Sequence, residues 1–454
     1  MRLAPFAALG AVAAYVPAYV EYAATSPCSG SPCGTAQKAA SIRDIAGLAR
    51  TAAAEGATLL VLPEYGVTGF YKGTKAEWVI HGYAEELPKA RGVPCRDGDD
   101  RAVAGLSCIA REQGIALVAN IMEWDSSEMR MYNCDIVLDR DGTLVGKYRK
   151  MNLWGEAPNV DAASCSPGDF TLADGTRIGV ITCADLIYEH PLKDLLARGV
   201  RNFVMPAAWS NEMADMQVMA YAQGWSAATG ASLVLSNHRR ASESGSGIWQ
   251  AGLPIATTYH PGSDKASVVV GAVPPRSEAG RAPRAPRLAL RQHGVGWAFA
   301  PLAAGRVCSG GVCCRATATT TQGYVLAALN GDDVDGDMSV SAEVCAVLSC
   351  ADAGRGCLDF GRQVPGGATE VKLVMEKLGA ERLVPEVVAS SPDEVEILLV
   401  PNSTSNGYLF AETVTGATLA ATSAHNLTSV VLYGRRFDRD SLPYRCNDTM
   451  EALV

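Results

Sequence analysis

The stretch "RIGVITCADLIYEHP", residues 177–191, decides how this chain is read. An apolar, β-branched run from Ile178 to Ile181 stops at Thr182 and Cys183. Asp185 follows, and then a segment able to start a helix. A strand that ends on a cysteine and feeds a helix is a unit of an α/β fold. A thiol at that point has three readings: a small buried residue, half of a disulfide, or a nucleophile held at a strand-to-helix turn.

The same unit recurs on both sides of it. "AQKAASIRDIAGLARTAAA" (36–54) is rich in helix formers and sets Ile42, Ile45, Leu48 and Ala49 on one face. "GATLLVLPEYG" (56–66) follows with a glycine break and a short apolar strand ending at Pro63. A helix near 99–113 leads into "GIALVANIME" (114–123). "YNCDIVLDRDGTLVGKYRK" (132–150) reads as a hairpin turning at Asp141-Gly142. After Cys183 come a helix near 189–198, "VRNFVMPAAW" (200–209), a long helix over 212–229, "ASLVLSNH" (231–238) and "ASVVVGAVP" (266–274). Helices alternating with continuous apolar strands predict sheets covered on both faces, and the hairpins make those sheets mixed.

The texture changes past residue 273. "PPRSEAGRAPRAPRLALRQHG" (274–294) reads as a solvated linker, because its arginines are spread among Pro, Ala and Gly. Beyond it Thr, Val, Gly and Cys become common, as in "RATATTTQGYVLAAL" (315–329) and "VEILLVPNSTSNGYLF" (395–410). The expected organisation is a catalytic α/β domain over 14–273, a linker over 274–294 and a mostly β domain over 295–454. "MRLAPFAALGAVA" at the N-terminus has a basic start, an apolar stretch and a small-x-small ending, so residues 1–13 read as a signal peptide. No other run reaches the roughly 18 apolar residues of a transmembrane helix. The polar "YRCNDTMEALV" ending argues against a glycolipid-anchor signal.

Composition excludes some functions. The net charge of −9 argues against a general nucleic-acid or anionic-membrane binder. Fourteen cysteines, half of them after residue 300, point to disulfides and an oxidising compartment. Zinc is the rival, but the close cysteine pairs leave four residues between them and no Cys-x-x-Cys or Cys-x-x-His supports a tetrahedral site. "GDDVDGD" (331–337) reads as a solvated acidic turn rather than a calcium loop. No metal or cofactor is expected. Sequons at Asn402, Asn426 and Asn447 are glycosylation candidates and fit a secreted chain.

Chemistry in an α/β sheet gathers at the carboxyl ends of strands. Three such ends carry reactive residues: Glu64 after "TLLVLP", Lys150 after "LVGKYR" and Cys183 after "RIGVIT". Singly, each has a bland reading as a surface charge, a solvated lysine or a buried cysteine. Together they make an acyl-transfer set. A thiol attacks an amide carbon, a buried carboxylate takes its proton, and an ammonium lowers the thiol pKa and stabilises the oxyanion. The backbone N–H of Ala184 is a second oxyanion donor candidate. None of the six histidines sits in a Cys-His pattern.

"LVLPEYG" (60–66), "KYRKMNL" (147–153) and "GVITCADL" (179–186) match, in order, the three motifs of the nitrilase superfamily. The resemblance implies an α-β-β-α sandwich, with Glu64, Lys150 and Cys183 as the catalytic residues and no cofactor. It implies a supporting role for Glu156, where many members keep a second glutamate. "MPAAWSNEM" (205–213), "SGSGIW" (244–249), and the cysteine pattern of "VCSGGVCC" (307–314), "EVCAVLSC" (343–350) and Cys357 resemble the vanin and biotinidase branch with its appended β domain. That branch hydrolyses secondary amides: pantetheine to pantothenate and cysteamine, or biocytin to biotin and lysine. The implied partner is therefore a small-molecule amide; the sequence assigns no oligomeric state. Trp209 is expected to line the pocket, with core packing as its alternative. Two positions depart from the vanin pattern and bear on substrate choice: Ala184, usually aromatic, and Arg149, often histidine. An inactive extracellular binding protein is the reading from another class, opposed by the intact Glu-Lys-Cys set.

If Cys183 is the nucleophile it must be free, which leaves an odd number of other cysteines. Cys108 and Cys134 are the candidates for a second, buried thiol. Cys28 and Cys33 are close enough in sequence to bridge.

Overall fold

The computed structural model describes residues 15–24, 32–96, 98–156, 159–163, 165, 168–211, 216–240, 243–260, 266–274, 295–335, 338–350, 357, 367–376, 379–390, 400–401, 407–413 and 416–439. The expected signal peptide, nearly all of the linker, Cys28, Asn402 and Asn447 lie outside these residues.

Two six-stranded mixed sheets face each other. The first holds β1 (Pro17–Glu21), β2 (Leu59–Val61), β3 (Ala116–Asp125), β4 (Arg130–Leu138), β5 (Leu144–Arg149) and β12 (Ser267–Val270), in the order β12-β1-β2-β3-β4-β5. The second holds β6 (Asp169–Thr171), β7 (Arg177–Val180), β8 (Asn202–Pro206), β9 (Ser232–Ser236), β10 (Ser246–Gln250) and β11 (Leu253–Thr258), in the order β11-β10-β9-β8-β7-β6. β1, β2 and β3 run parallel, as do β7, β8 and β9; the flanking strands are antiparallel. Tyr19, Val61, Val118, Tyr148, Ile178, Val204 and Val234 form the core between the sheets. These parallel strands are buried on both faces, which is why they read as unbroken apolar runs.

Helices α1 (Gly34–Ala54) and α3 (Ala102–Gln113) cover the outer face of the first sheet; α2 (Lys75–Ile80) lies apart from them near the site. The buried stripe of α1 takes in Gln37, Lys38 and Ser41 as well as Ile45 and Ala49, leaving Ile42 and Leu48 only partly buried. Lys38 can be buried there because it pairs with Glu85 at 2.5 Å.

Helices α4 (Leu192–Ala197) and α5 (Val218–Thr229) cover the second sheet. α5 is not an outer layer, however. Every residue from Val218 to Ser226 is buried, because the C-terminal β domain packs on its far side. Gly224 permits the approach: a Cβ there would lie 2.1 Å from the Pro385 carbonyl oxygen.

That β domain is a sandwich. One sheet holds β13 (Val295–Pro301), β16 (Tyr324–Asp335), β17 (Met338–Ser349), β19 (Arg382–Ser390) and β23 (Asn426–Arg435). The other holds β14 (Arg306–Ser309), β15 (Val312–Ala318), β18 (Glu370–Glu376), β20 (Val400–Pro401), β21 (Gly407–Thr413) and β22 (Gly416–Thr422). The chain is thus an α-β-β-α sandwich with an appended, disulfide-bonded β domain.

Bridges join Cys308–Cys313, Cys314–Cys345 and Cys350–Cys357 in the C-terminal domain, and Cys95–Cys108 over α3. Cys33 and Cys165 are also disulfide-bonded. Cys108 is therefore not a thiol; Cys134 and Cys183 are the free, buried cysteines among the described residues. The segment read as an acidic turn runs, as far as it is described, as the end of β16. Asn426 opens β23 and is partly exposed. No cluster of possible metal ligands occurs among the described residues, and no described helix is long and apolar enough to cross a membrane.

Candidate active site

The three strand ends converge where the carboxyl edges of the two sheets meet. Glu64 follows β2, Lys150 follows β5 and Cys183 follows β7, and all three line one cavity of about 650 Å³. Each is almost fully buried.

Lys150 is the hub. Its Nζ donates to Glu64 Oε1 at 2.9 Å and to Glu156 Oε2 at 2.7 Å. Asn133 Nδ2 lies 2.7 Å from Glu64 Oε1 and 2.5 Å from Glu156 Oε1. The Tyr65 hydroxyl donates to Glu156 Oε1 at 2.7 Å, and the Ala208 N–H, just past β8, donates to Glu64 Oε2 at 2.9 Å. Two carboxylates thus share one ammonium, and their pKa values part. Burial raises Glu64, with the Glu156 charge adding to it, more than Lys150 lowers it. Burial also raises Glu156, but there the Lys150 charge and hydrogen bonds from Lys150, Tyr65 and Asn133 outweigh it and hold it below the usual carboxylate range. Burial acts against the Lys150 ammonium, yet the charges of Glu156 and Glu64 keep it firmly charged.

Cys183 occupies a strained backbone, with φ at 43°. A non-glycine residue in that region costs on the order of 1–3 kcal/mol and persists only where its surroundings hold it. It opens a 3-10 turn, Cys183–Ile187, rather than an α-helix. Asp185 holds the start of that turn, accepting from the Thr182 N–H at 2.9 Å, the Tyr148 hydroxyl at 2.7 Å and the Asn152 N–H at 3.0 Å. The thiol does not behave as lysine proximity alone suggests. Burial and the Glu64 charge push it well above its ordinary value, more than Lys150 and the Ala208 N–H lower it. The resting group is a thiol that needs a base.

A second recess, of about 80 Å³, adjoins Cys183 and is lined by Trp154, Ala184, Ile187, Trp209 and Met216. Trp209 both faces this recess and packs in the core, its Nε1 donating to the Met216 carbonyl at 3.0 Å. Ala184 is the small wall of the recess. Arg149 does not face the large cavity or the recess. It alternates with Lys150 to the other face of its strand and pairs there with Glu123 at 2.7 Å and Asp125 at 2.8 Å.

Sequence reasoning did not find the supports. Asn120 accepts the Tyr65 N–H at 2.8 Å and donates to Asn133 and Asp135 at 2.6 and 2.8 Å. Asp135 accepts from the Thr182 hydroxyl at 2.6 Å, beside the cysteine. His238 Nε2 lies 2.5 Å from the Glu64 carbonyl oxygen, and burial lowers its pKa to about 3. The ring is therefore neutral and Nε2 carries its proton. The available signal was polarity: Asn120, Asn133 and Asp135 each stand between non-charged, largely apolar neighbours within β3 and β4.

Known proteins give a consistent picture. The carbon-nitrogen hydrolase family model matches residues 23–248, and the Vanin C-terminal domain model matches residues 301–440. A biotinidase of Takifugu rubripes is 26% identical over 418 residues, covering 77% of this chain and 81% of its own. A pantetheinase of Bos taurus is 25% identical over 455 residues, covering 90% of this chain and 86% of its own. Among solved structures, an amidase from Nesterenkonia sp. superposes with a TM-score of 0.45 at 18% identity, covering 57% of this chain and 91% of its own.

Proposed function

The chain belongs to the carbon–nitrogen hydrolase family and hydrolyses carbon–nitrogen bonds other than peptide bonds, and from that premise we propose a thiol amidase that acts on pantetheine through a thioester on Cys183. The observation that carries the mechanism is the convergence of Cys183, Glu64 and Lys150 on one cavity, with Lys150 bonded to Glu64.

In the proposed sequence, Cys183 Sγ attacks the amide carbon while its proton passes to the Glu64 carboxylate. The Lys150 ammonium and the Ala184 N–H stabilise the oxyanion. The C–N bond then breaks and Glu64 returns that proton to the departing amine nitrogen. Water enters and its oxygen attacks the thioester carbon as Glu64 takes one of its protons. The C–S bond then breaks, the acid leaves, and Glu64 returns that proton to Cys183 Sγ to restore the thiol. The raised pKa of Glu64 suits this shuttle, because the group must take and give a proton within one cycle. Glu156, held ionised, keeps Lys150 charged and in place.

Pantetheine is an uncharged amide, and the cavity lining offers the polar Thr74 and Asn159, beside Lys72 and Glu77, among aromatic walls from Tyr71, Trp78 and Trp154. Such a surface suits a hydroxyl- and amide-bearing chain. The disulfides support a secretory-pathway location.

The test is hydrolysis of pantetheine and of biocytin by the purified chain, with Cys183→Ala as the blank. Cysteamine release that vanishes in the variant supports the reading. Lysine release from biocytin would replace the substrate and keep the chemistry. Undiminished turnover by Cys183→Ala would overturn the mechanism.

A further inference from the structure

We infer that Arg382 and Arg435, on the C-terminal β domain, are positioning residues for the Cys183 turn. This inference rests on the reading of Cys183 as the nucleophile.

The turn Cys183–Ile187 starts in strained backbone, so both of its ends need holding. Asp185 holds the first end. The other end is held from outside the α/β domain. Arg435 Nε donates to the Ile187 carbonyl at 2.8 Å, and Arg382 Nη1 donates to the Tyr188 carbonyl at 3.1 Å. These carbonyls close the turn and carry its partial negative charge, which cations favour. Arg435 also donates to the Ser341 carbonyl on β17, tying the turn to the sheet behind it.

The two arginines stand directly opposite each other in the β19–β23 register. Like charges in that relation repel. Their guanidinium groups flank the Phe437 ring, at 4.9 and 5.2 Å, and both reach the same turn. Adhesion between the domains does not require them. The packing of α5 on the C-terminal sheet buries an apolar interface of Val218, Tyr221, Val384 and Tyr433, and apolar residues in place of buried charges are often as stable or more so. What guanidinium forks add is direction, since their donors are fixed in a plane. The appended domain thereby braces the strained residue on which the chemistry depends.

The test uses the full chain and the variants Arg382→Gln, Arg435→Met and Arg435→Lys. Arg436→Met is the control, because Arg436 is buried on the same domain but pairs with Glu343 at 2.7 Å. The readouts are kcat and KM for the hydrolysed amide, the rate of Cys183 alkylation by iodoacetamide at pH 7, and Tm. A displaced thiol should lower kcat about tenfold or more in Arg382→Gln and Arg435→Met, with KM within about twofold. Alkylation should slow in parallel as the thiolate loses its ammonium neighbour, and Arg435→Lys should recover part of both rates. Arg436→Met should lower Tm without changing either rate. Folded arginine variants with unchanged kcat and alkylation would overturn the inference, as would variants no different from Arg436→Met. If Arg435→Met does not fold, Arg382→Gln, whose side chain is only half-buried, carries the test alone. Turnover that survives Cys183→Ala would strike at the nucleophile reading itself, which these outcomes leave distinct.

Discussion

Lys150 Nζ lies nearer to Glu156 Oε2, at 2.7 Å, than to Glu64 Oε1, at 2.9 Å. Burial, with the Glu156 charge adding to it, keeps the Glu64 pKa raised despite its contact with the cation, whereas burial at Glu156 is outweighed by the Lys150 charge and by hydrogen bonds from Lys150, Tyr65 and Asn133, which hold it low. In the proposed mechanism this asymmetry makes one of two chemically identical side chains the proton carrier and the other a fixed counter-charge. Glu64→Gln should abolish turnover, a loss on the order of a thousandfold or more for a group acting in every proton transfer. Glu156→Gln should cost less. It should also move the acid limb of the pH–rate profile to lower pH, because removing the Glu156 charge removes one cause of the raised Glu64 pKa. Kinetics of the two variants between pH 4 and 8 check both points; the reverse order of losses would exchange the roles.

The thiol supplies a separate pH signature. Burial and Glu64 hold Cys183 well above its usual value, so little thiolate exists in the free protein at neutral pH. Alkylation by iodoacetamide should therefore keep rising beyond pH 9, while kcat/KM levels off once Glu64 is ionised. A preformed thiolate–ammonium pair would instead level off below pH 8, and that outcome would remove the need for a base. Cys134 does not obscure the measurement, since it is buried on the opposite face of its strand from Asn133, within the packing beneath the helices.

The α/β layers were readable because strands buried on both faces must be apolar throughout, as in "TLLVLP" and "RIGVIT". Glu64 and Cys183 stood out because each breaks such a run at its end; Lys150 ends a basic strand, "LVGKYR", and was legible only in the company of the other two. Lys150 does lower the thiol's pKa, as the sequence implies, but sequence does not reveal the depth of burial, and burial is the larger effect. The departure from the vanin pattern at Arg149 pointed to substrate choice, yet one step along a strand reverses the face, and Arg149 lines neither cavity. The bracing of Ile187 and Tyr188 by residues 248 and 194 positions away, respectively, could not be read at all, because no local pattern marks it.

Asp135 ties the site to stability. Its carboxyl, fully buried, is raised to about 8, chiefly by desolvation, with the Glu64 and Asp185 charges adding to it. An unfolded aspartate titrates at about 3.9. Between these values the folded state binds more protons than the unfolded one, so this group makes stability fall as pH rises from about 4 toward 8. Asp135→Asn removes the titration and keeps the shape. The Thr182 hydroxyl and the Asn120 amide can still pair with the new side chain, the hydroxyl by turning to accept. The variant should gain Tm relative to the parent at pH 8 and gain little at pH 4. An equal change at both values would show that the group does not titrate in this window.

The recess beside Cys183 gives the last expectation. Its small wall is Ala184, and its volume of about 80 Å³ is comparable to a few methylene groups. Phenylalanine at 184 would fill the recess and crowd Trp209 and Met216, whereas valine would narrow it. If substrate occupies the recess, Ala184→Phe should lower kcat/KM about tenfold or more and Ala184→Val by less, mainly through KM. Cys183 alkylation by the small reagent iodoacetamide should stay near the parent rate, because the reagent can still enter through the large cavity, which the thiol also lines. Alkylation and turnover falling together would show instead that residue 184 acts on the nucleophile's placement. Unchanged kcat/KM in a folded Ala184→Phe protein would mean that the substrate lies wholly in the larger cavity.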